Sequence, residues 1–141
     1  MITQVFNGQI DKIINSPDVG IIYCDTNLIS ENGEIIDKYS TKKPLIEGDV
    51  FFNLAKHNFI PFVSALIPLK IYHKCGGFPD SFENSTDYYL FLSIAYRYKV
   101  LAIQEPYCDY RIHSNNLSHQ QKVLGALESI RAVSKFLPDL R

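Results

Sequence analysis

The stretch Val19–Ser40, VGIIYCDTNLISENGEIIDKYS, carries two structural signals back to back. Its first half is a nearly continuous apolar run rich in branched residues, the pattern of a strand covered on both faces. Glu31-Asn32-Gly33 then interrupts it, and Asn-Gly between apolar runs is the strongest short signal for a hairpin. The partner segment GEIIDKYS is therefore expected to pair antiparallel with the first.

Upstream, Ile2, Val5, Phe6, Ile10, Ile13 and Ile14 recur at helical spacing and predict an amphipathic helix over the first fifteen residues. Ser16-Pro17-Asp18 ends it, because the residue before a proline is biased away from the helical region. Downstream, residues 41–48 are polar, contain Pro44 and read as a loop. Asp49 is placed to cap a short helix, DVFFNLAKHN, with Phe52, Leu54 and Ala55 toward the core. A strand is expected near VSALI, between Pro61 and Pro68, and one helical turn over Lys70–Cys75, ended by Gly76-Gly77. A longer helix is predicted from about Thr86 to Tyr98. VLAIQ reads as a buried strand, and YCDYRIH as another after a turn at Glu105-Pro106. Ser118 and Gln121 have the spacing of a capping box, opening a last helix to about Phe136. Strands and helices mix without strict alternation, which argues for one α/β domain with a mixed sheet, one antiparallel hairpin and flanking helices.

Composition narrows the function classes. The 141 residues are 46% hydrophobic and 21% charged, enough for one domain with a real core. A net charge of -1 gives no long-range pull toward nucleic acid or an anionic membrane. No apolar run is long enough to cross a bilayer, and the start, MITQVFNGQI, lacks the layout of a signal peptide. The expected location is the cytoplasm, extending to the inner membrane face. Cys24, Cys75 and Cys108 are odd in number and far apart in sequence, so neither a disulfide framework nor a zinc site is expected.

Asp87 stands out among the candidate functional residues, set at the mouth of the apolar helix in CGGFPDSFENSTDYYLFLSIA. A first-turn Asp accepts backbone N–H bonds and suits the positive end of the helix dipole. The same position could hold a general base, and the two roles are compatible, since a capped residue is also a rigid one. Gly76-Gly77-Phe78 reads as a helix cap that also permits a close approach of backbone to ligand. Asp25-Thr26-Asn27 offers one carboxylate and one amide two apart, thin for Mg²⁺ or Mn²⁺, and a turn or edge role is favoured. His113 is a loop residue or a metal ligand, and Arg111, on the same face of its strand, could meet a phosphate or carboxylate. The tyrosines at 88, 89, 96, 98, 107 and 110 are core residues or stacking platforms for sugar rings, with one or two expected at a site.

Taken in order, three segments resemble the second half of a family 2 glycosyltransferase of the GT-A fold, and the resemblance covers nearly the whole chain. PDVGIIYCDTNLISENGEIIDKYS resembles the family's strand and hairpin after the metal-binding segment. GDVFFNLAKHNFIPFVSALIPLKIYHKCGGFPDSF resembles the stretch leading to its glycine-glycine-phenylalanine turn. STDYYLFLSIAYRYKVLAIQEPYCDYRIHSNNLS resembles its acidic-Asp helix, the strand beyond, and the tyrosine-arginine-x-histidine segment. The resemblance implies transfer of a sugar from a nucleotide-sugar donor to a saccharide or lipid-linked acceptor hydroxyl, with inversion. Asp87 would be the general base, Gly76, Gly77 and Phe78 would line the acceptor side, Arg111 would lie near donor or acceptor, and His113 would help bind the metal–diphosphate. Thr86 departs from the pattern, which has an acidic residue there. The family's nucleotide-binding half and Asp-x-Asp motif are expected upstream of the first helix, outside this chain. A divalent cation, Mg or Mn, is thus expected for the complete enzyme, and none need be bound here. The competing expectation is a non-catalytic module that binds saccharide or protein. Half of a sheet would also leave open strand edges, so a homo-oligomer through those edges is expected.

Overall fold

A computed structural model describes residues 15–114 and 120–140, with Asp11 and Asn116. The helix expected over the first fifteen residues falls largely outside them, as does Ser118 of the expected capping box. Three strands form one sheet in the order β2-β1-β3. β1 (Val19–Ile29) is central. It pairs antiparallel with β2 (Ile35–Lys38) and parallel with β3 (Lys99–Arg111). The architecture is mixed α/β, a three-stranded mixed sheet with flanking helices, as the irregular mixture of strand and helix signals predicted.

The hairpin follows from its residues. Gly33 takes a positive φ of 87° in the turn, and Ser30 closes it through its carbonyl with Gly33 and its N–H to the Glu34 carbonyl. Asn27, Leu28 and Ile29 then meet Lys38, Asp37 and Ile35. β1 is buried along most of its length, which explains the apolar run Val19–Cys24 in its first half. The chain after β2 coils at once into a helical turn, α1 (Tyr39–Lys42), where the sequence suggested strand and then loop.

Asp25 explains that turn. It is buried in the middle of the central strand, not at a turn or an edge, and its carboxylate accepts the Ser40 N–H (3.0 Å) and hydroxyl (2.6 Å). This bond set fixes the start of α1 against the sheet. Asn27 instead donates to the Asp109 carboxylate on β3 at 2.9 Å.

Helix α2 (Phe51–Lys56) buries Phe51 and Leu54, while Phe52 is 66% exposed and does not face the core. Its N-cap position is Val50, without a side-chain cap, rather than Asp49. Near VSALI the structure has a 3₁₀ turn (Phe62–Ser64), and Leu66 alone pairs with Ile22. Ser64 folds back on the Pro61 carbonyl through both its N–H and hydroxyl, which competes with an extended run. Helix α3 (Leu69–Lys74) ends as expected at Gly76-Gly77, with φ values of 89° and 64°. Gly77 N–H reaches the Tyr72 carbonyl and Gly76 N–H the His73 carbonyl, the paired bonds of a Schellman cap.

Helix α4 (Thr86–Ala95) is nearly all buried, and it crosses β1 so closely that a Cβ on Gly20 would strike Ile94 and lie 2.7 Å from the Tyr98 Cβ. β3 is a single 13-residue strand, not two strands separated by a turn. Its pairing jumps from Cys24↔Ile103 to Asp25↔Pro106, so Gln104 and Glu105 are taken up in a bulge. Proline lacks the N–H that a ladder needs, and a bulge on an edge strand accommodates it. Only Val100 of β3 is buried, so VLAIQ is a half-covered edge rather than a buried strand. Helix α5 (Lys122–Ser134) packs against α4 through Ala132, and Phe136 beyond it meets Phe51, Tyr89 and Tyr96.

The cysteines are free, and Cys24 and Cys75 are buried, as small core residues would be. Cys24 and Cys108, distant in sequence, bring their Sγ atoms to 3.9 Å across β1 and β3.

Candidate functional site

A cleft of about 600 Å³ opens beside the start of α4. Asp87 lines it together with Tyr39, Lys43, Asn58, Thr86 and Tyr110. Its walls come from separate parts of the chain: the turn after the hairpin, the segment after α2, the head of α4 and the end of β3.

The head of α4 is held from outside its own sequence. Ser85, at the N-cap position, makes no side-chain cap, and its hydroxyl donates to the Gly125 carbonyl of α5. The carboxylate of Glu128, also on α5 and only 6% exposed, accepts the N–H groups of Glu83 (2.7 Å), Asn84 (2.8 Å) and Ser85 (2.8 Å). Burial works to raise the Glu128 carboxyl, but those three N–H bonds and the Arg131 charge outweigh it and hold the group below its ordinary value. Gly125 lets α5 come this close, since a Cβ there would lie 3.0 Å from Asn84 Oδ1. Asn84 in turn donates to Gln121 Oε1.

Asp87 has the opposite environment. Burial pushes its carboxyl upward, and the N–H groups of Tyr88 and of Asp87 itself offset only part of that. Among the described residues the ion pair is Lys99–Asp18 at the surface, and none involves Asp87. Two phenols beside it are shifted upward as well, and Asp87 contributes to one of them, Tyr39. Tyr39 is pushed up to about 12 by burial, then by Tyr110 and by Asp87. Tyr88 is likewise pushed up to about 12 by burial, with its hydroxyl donating to the Leu54 carbonyl at 2.7 Å. Lys43 lies with its ammonium 5.4 Å from the centre of the Tyr39 ring and 2.6 Å from the Asn58 carbonyl, and burial lowers its pKa. The arrangement can do one thing plainly: accept a proton at Asp87 from a hydroxyl placed among hydrogen-bonding phenols and amides.

The other residues singled out in the sequence lie at different places. Gly76 and Gly77 form the cap of α3 and do not line the cleft. Phe78 packs edge-on to Tyr72 and to Phe62, and Phe62 is a cleft wall, so Phe78 is one side chain removed. Arg111 donates to the Ser30 carbonyl (3.0 Å) and the Glu31 carbonyl (2.6 Å), tying β3 to the hairpin turn. His113 bonds through its backbone N–H to Asn116 Oδ1, next to Ile112, which does line the cleft. Two of the six tyrosines considered, Tyr88 and Tyr110, reach the cleft. Tyr39, Lys43, Asn58 and Glu128 carried no local signal, because each acts on a partner far along the chain.

Among the described residues no three His, Cys, Asp or Glu side chains are grouped to hold a metal ion. His113 alone does not make such a site, and no step proposed below runs through a cation. No helix of the described residues is long and apolar enough to cross a membrane. Comparison with models of protein families and with curated proteins finds no match to this chain.

Proposed function

We propose that this domain is the acceptor-side half of a GT-A glycosyltransferase of family 2, with Asp87 as its general base. The acceptor hydroxyl sits in the cleft and gives its proton to the Asp87 carboxylate as its oxygen attacks the anomeric carbon of a nucleotide-sugar. The bond from that carbon to the nucleotide diphosphate breaks with inversion. The single observation that supports this most is the state of Asp87. It is a carboxylate shifted upward by burial, without an ion-pair partner among the described residues, in a cleft large enough for a sugar. A carboxylate that served only as a cap would be stabilised in its charged form and shifted down. The family resemblance would also set the glycine cap, Phe78, Arg111 and His113 around acceptor and donor; of these, Phe78 through Phe62 and His113 beside Ile112 lie next to the cleft, whereas the glycine pair and Arg111 hold the scaffold.

The test is Asp87→Asn in the complete enzyme, assayed for transfer from a panel of nucleotide-sugars. Transfer is expected to vanish with the circular dichroism spectrum unchanged. Near-normal turnover in the variant would sink the assignment.

A second reading, a saccharide- or protein-binding module without catalysis, is favoured by one observation. Thr86 supplies a hydroxyl, not a second carboxylate, beside Asp87 in the cleft. Saccharide binding without any binding of nucleoside diphosphate would support this module, and nucleoside diphosphate bound with Mn²⁺ would count against it. For assembly, β2 offers an open edge of the sheet, with Ile35 68% and Ile36 61% exposed, which supports association of two copies.

A further inference from the structure

The ammonium of Lys43 has three N–H donors, and one is taken by the Asn58 carbonyl at 2.6 Å. That bond fixes where the head group sits, and the Tyr39 ring beneath it, 5.4 Å away, fixes the direction of approach. Among the described residues no carboxylate pairs with this cation. Lys43 and Asp87 share the cleft without forming an ion pair, and no cation figures among the causes that shift Asp87. The two charges therefore stand apart. Tyr39 touches on both, with its ring 5.4 Å from the Lys43 ammonium and its phenol within the influence of Tyr110 and Asp87. A half-buried cation is disfavoured by its surroundings, as the downward shift of Lys43 records, and an anion entering the cleft would relieve that cost. In such partly desolvated surroundings the pair gains more than it would on an open surface.

We propose that the Asp87 cleft selects a sugar bearing an anionic substituent, a carboxylate or a phosphate monoester, which Lys43 holds while the neutral hydroxyl face of the ring lies toward Asp87. This rests on reading the cleft as a saccharide site, and it names the class of saccharide. Asp87 acts against the wrong orientation, because an anion placed next to it meets a like charge.

The experiment is a titration of the ¹⁵N-labelled chain with methyl glucoside, methyl glucuronide and glucose 6-phosphate, followed at backbone amides. At least one anionic sugar is expected to bind about tenfold more tightly than the neutral one, with shifts centred on residues 39–43 and 84–88. A preference for glucuronide identifies a hexuronic acid, and a preference for the phosphate identifies a sugar phosphate. Lys43→Gln should bring the affinities together, and Lys43→Arg should keep the preference. Equal affinities in the wild type, a preference that survives Lys43→Gln, or no binding of any of the three would overturn the proposal. Transfer activity is read separately. Loss of the catalytic reading leaves an anion preference standing, and transfer to neutral sugars alone does the reverse.

Discussion

Glu128 gives the most direct test of how this site is built. Replacing it with alanine removes the acceptor of three backbone N–H groups, on residues 83, 84 and 85. These do not count equally. Ser85 is buried, so its N–H would be left without water, a loss of about 1.5–3 kcal/mol for a bond to a charged group. Glu83 is exposed and Asn84 half-exposed, so solvent can replace most of their bonds, leaving about 0.5–1 kcal/mol each. Glu128→Ala should therefore cost about 2–4 kcal/mol, after allowing for the burial of charge that it also relieves. Glu128→Gln keeps one oxygen. If that oxygen stays on Asn84 and Ser85, the exposed Glu83 bond is lost and the two retained bonds lose their charge assistance, so the cost should be about 1–2 kcal/mol.

Urea denaturation followed by circular dichroism measures both numbers, with unchanged m-values showing that the unfolded state is not the cause. pH supplies a second readout. Glu128 is held below the ordinary glutamate range in the folded chain, so its contribution is present above that range and is lost as pH falls through the lower, folded value. The wild type should show this acid loss, and Glu128→Gln should not show its share of it. Equal stabilities of the wild type and Glu128→Ala, or equal losses for Ala and Gln, would refute the claim that this carboxylate caps the head of α4.

Other perturbations separate further claims. The Asp87 carboxyl is raised in the folded state, so its favourable contribution is complete below about 3.8 and is lost as pH rises through the folded value. Asp87→Asn should therefore be at least as stable as the wild type at pH 7, whereas an Asp stabilised in its charged form at the helix start would instead lose about 0.3–1 kcal/mol with its charge. Gly76→Ala adds a Cβ in open space at φ 89° and should cost about 1–2 kcal/mol by thermal denaturation. Gly77→Ala adds to the same strain a contact 2.9 Å from the Tyr72 ring and should cost more than Gly76→Ala does, so the reverse order would contradict the cap geometry. The Cys108 thiol is pushed up to about 11 by burial and by Cys24, so its alkylation by iodoacetamide should stay slow at pH 8 and keep accelerating toward that value. Rapid modification at pH 8, read by mass spectrometry, would contradict the packing seen at Val63 and Cys24.

What was legible in the sequence was local. The apolar first half of β1, the Asn-Gly turn, the glycine pair after α3 and the apolar α4 each follow from neighbouring residues, and each stands where the pattern put it. The misplaced elements are those that a distant partner decides. Pro106 marked a turn by its own chemistry, yet pairing with Asp25 carries the strand through it as a bulge. Ser40 belonged to a strand until the buried Asp25 carboxylate captured its hydroxyl and N–H. Cys24 and Cys108 looked unrelated because parallel pairing of β1 with β3 has no short-range signature, unlike a hairpin. The candidate site divides along the same line. Asp87 could be picked out from its place at a helix start, whereas Lys43, Tyr39 and Glu128 acquire their roles only when remote segments meet.

The two carboxylates at the head of α4 explain each other. A first-turn Asp is by default the residue that satisfies the open N–H groups of its helix, and it is then tied up as an acceptor with its pKa lowered. Here the N–H groups just ahead of the helix are answered by Glu128 from across the α4–α5 contact, and Ser85 turns its hydroxyl toward α5 as well. Asp87 is left facing the cleft with burial as the larger influence on it. One carboxylate is pushed down and does structural work; the other is pushed up and remains available to take a proton. Paired acidic groups driven apart in this way are the usual means by which a fold separates holding from chemistry. The division needs both elements, so a change in how α5 sits on α4 should be felt at Asp87 even though Glu128 itself does not line the cleft.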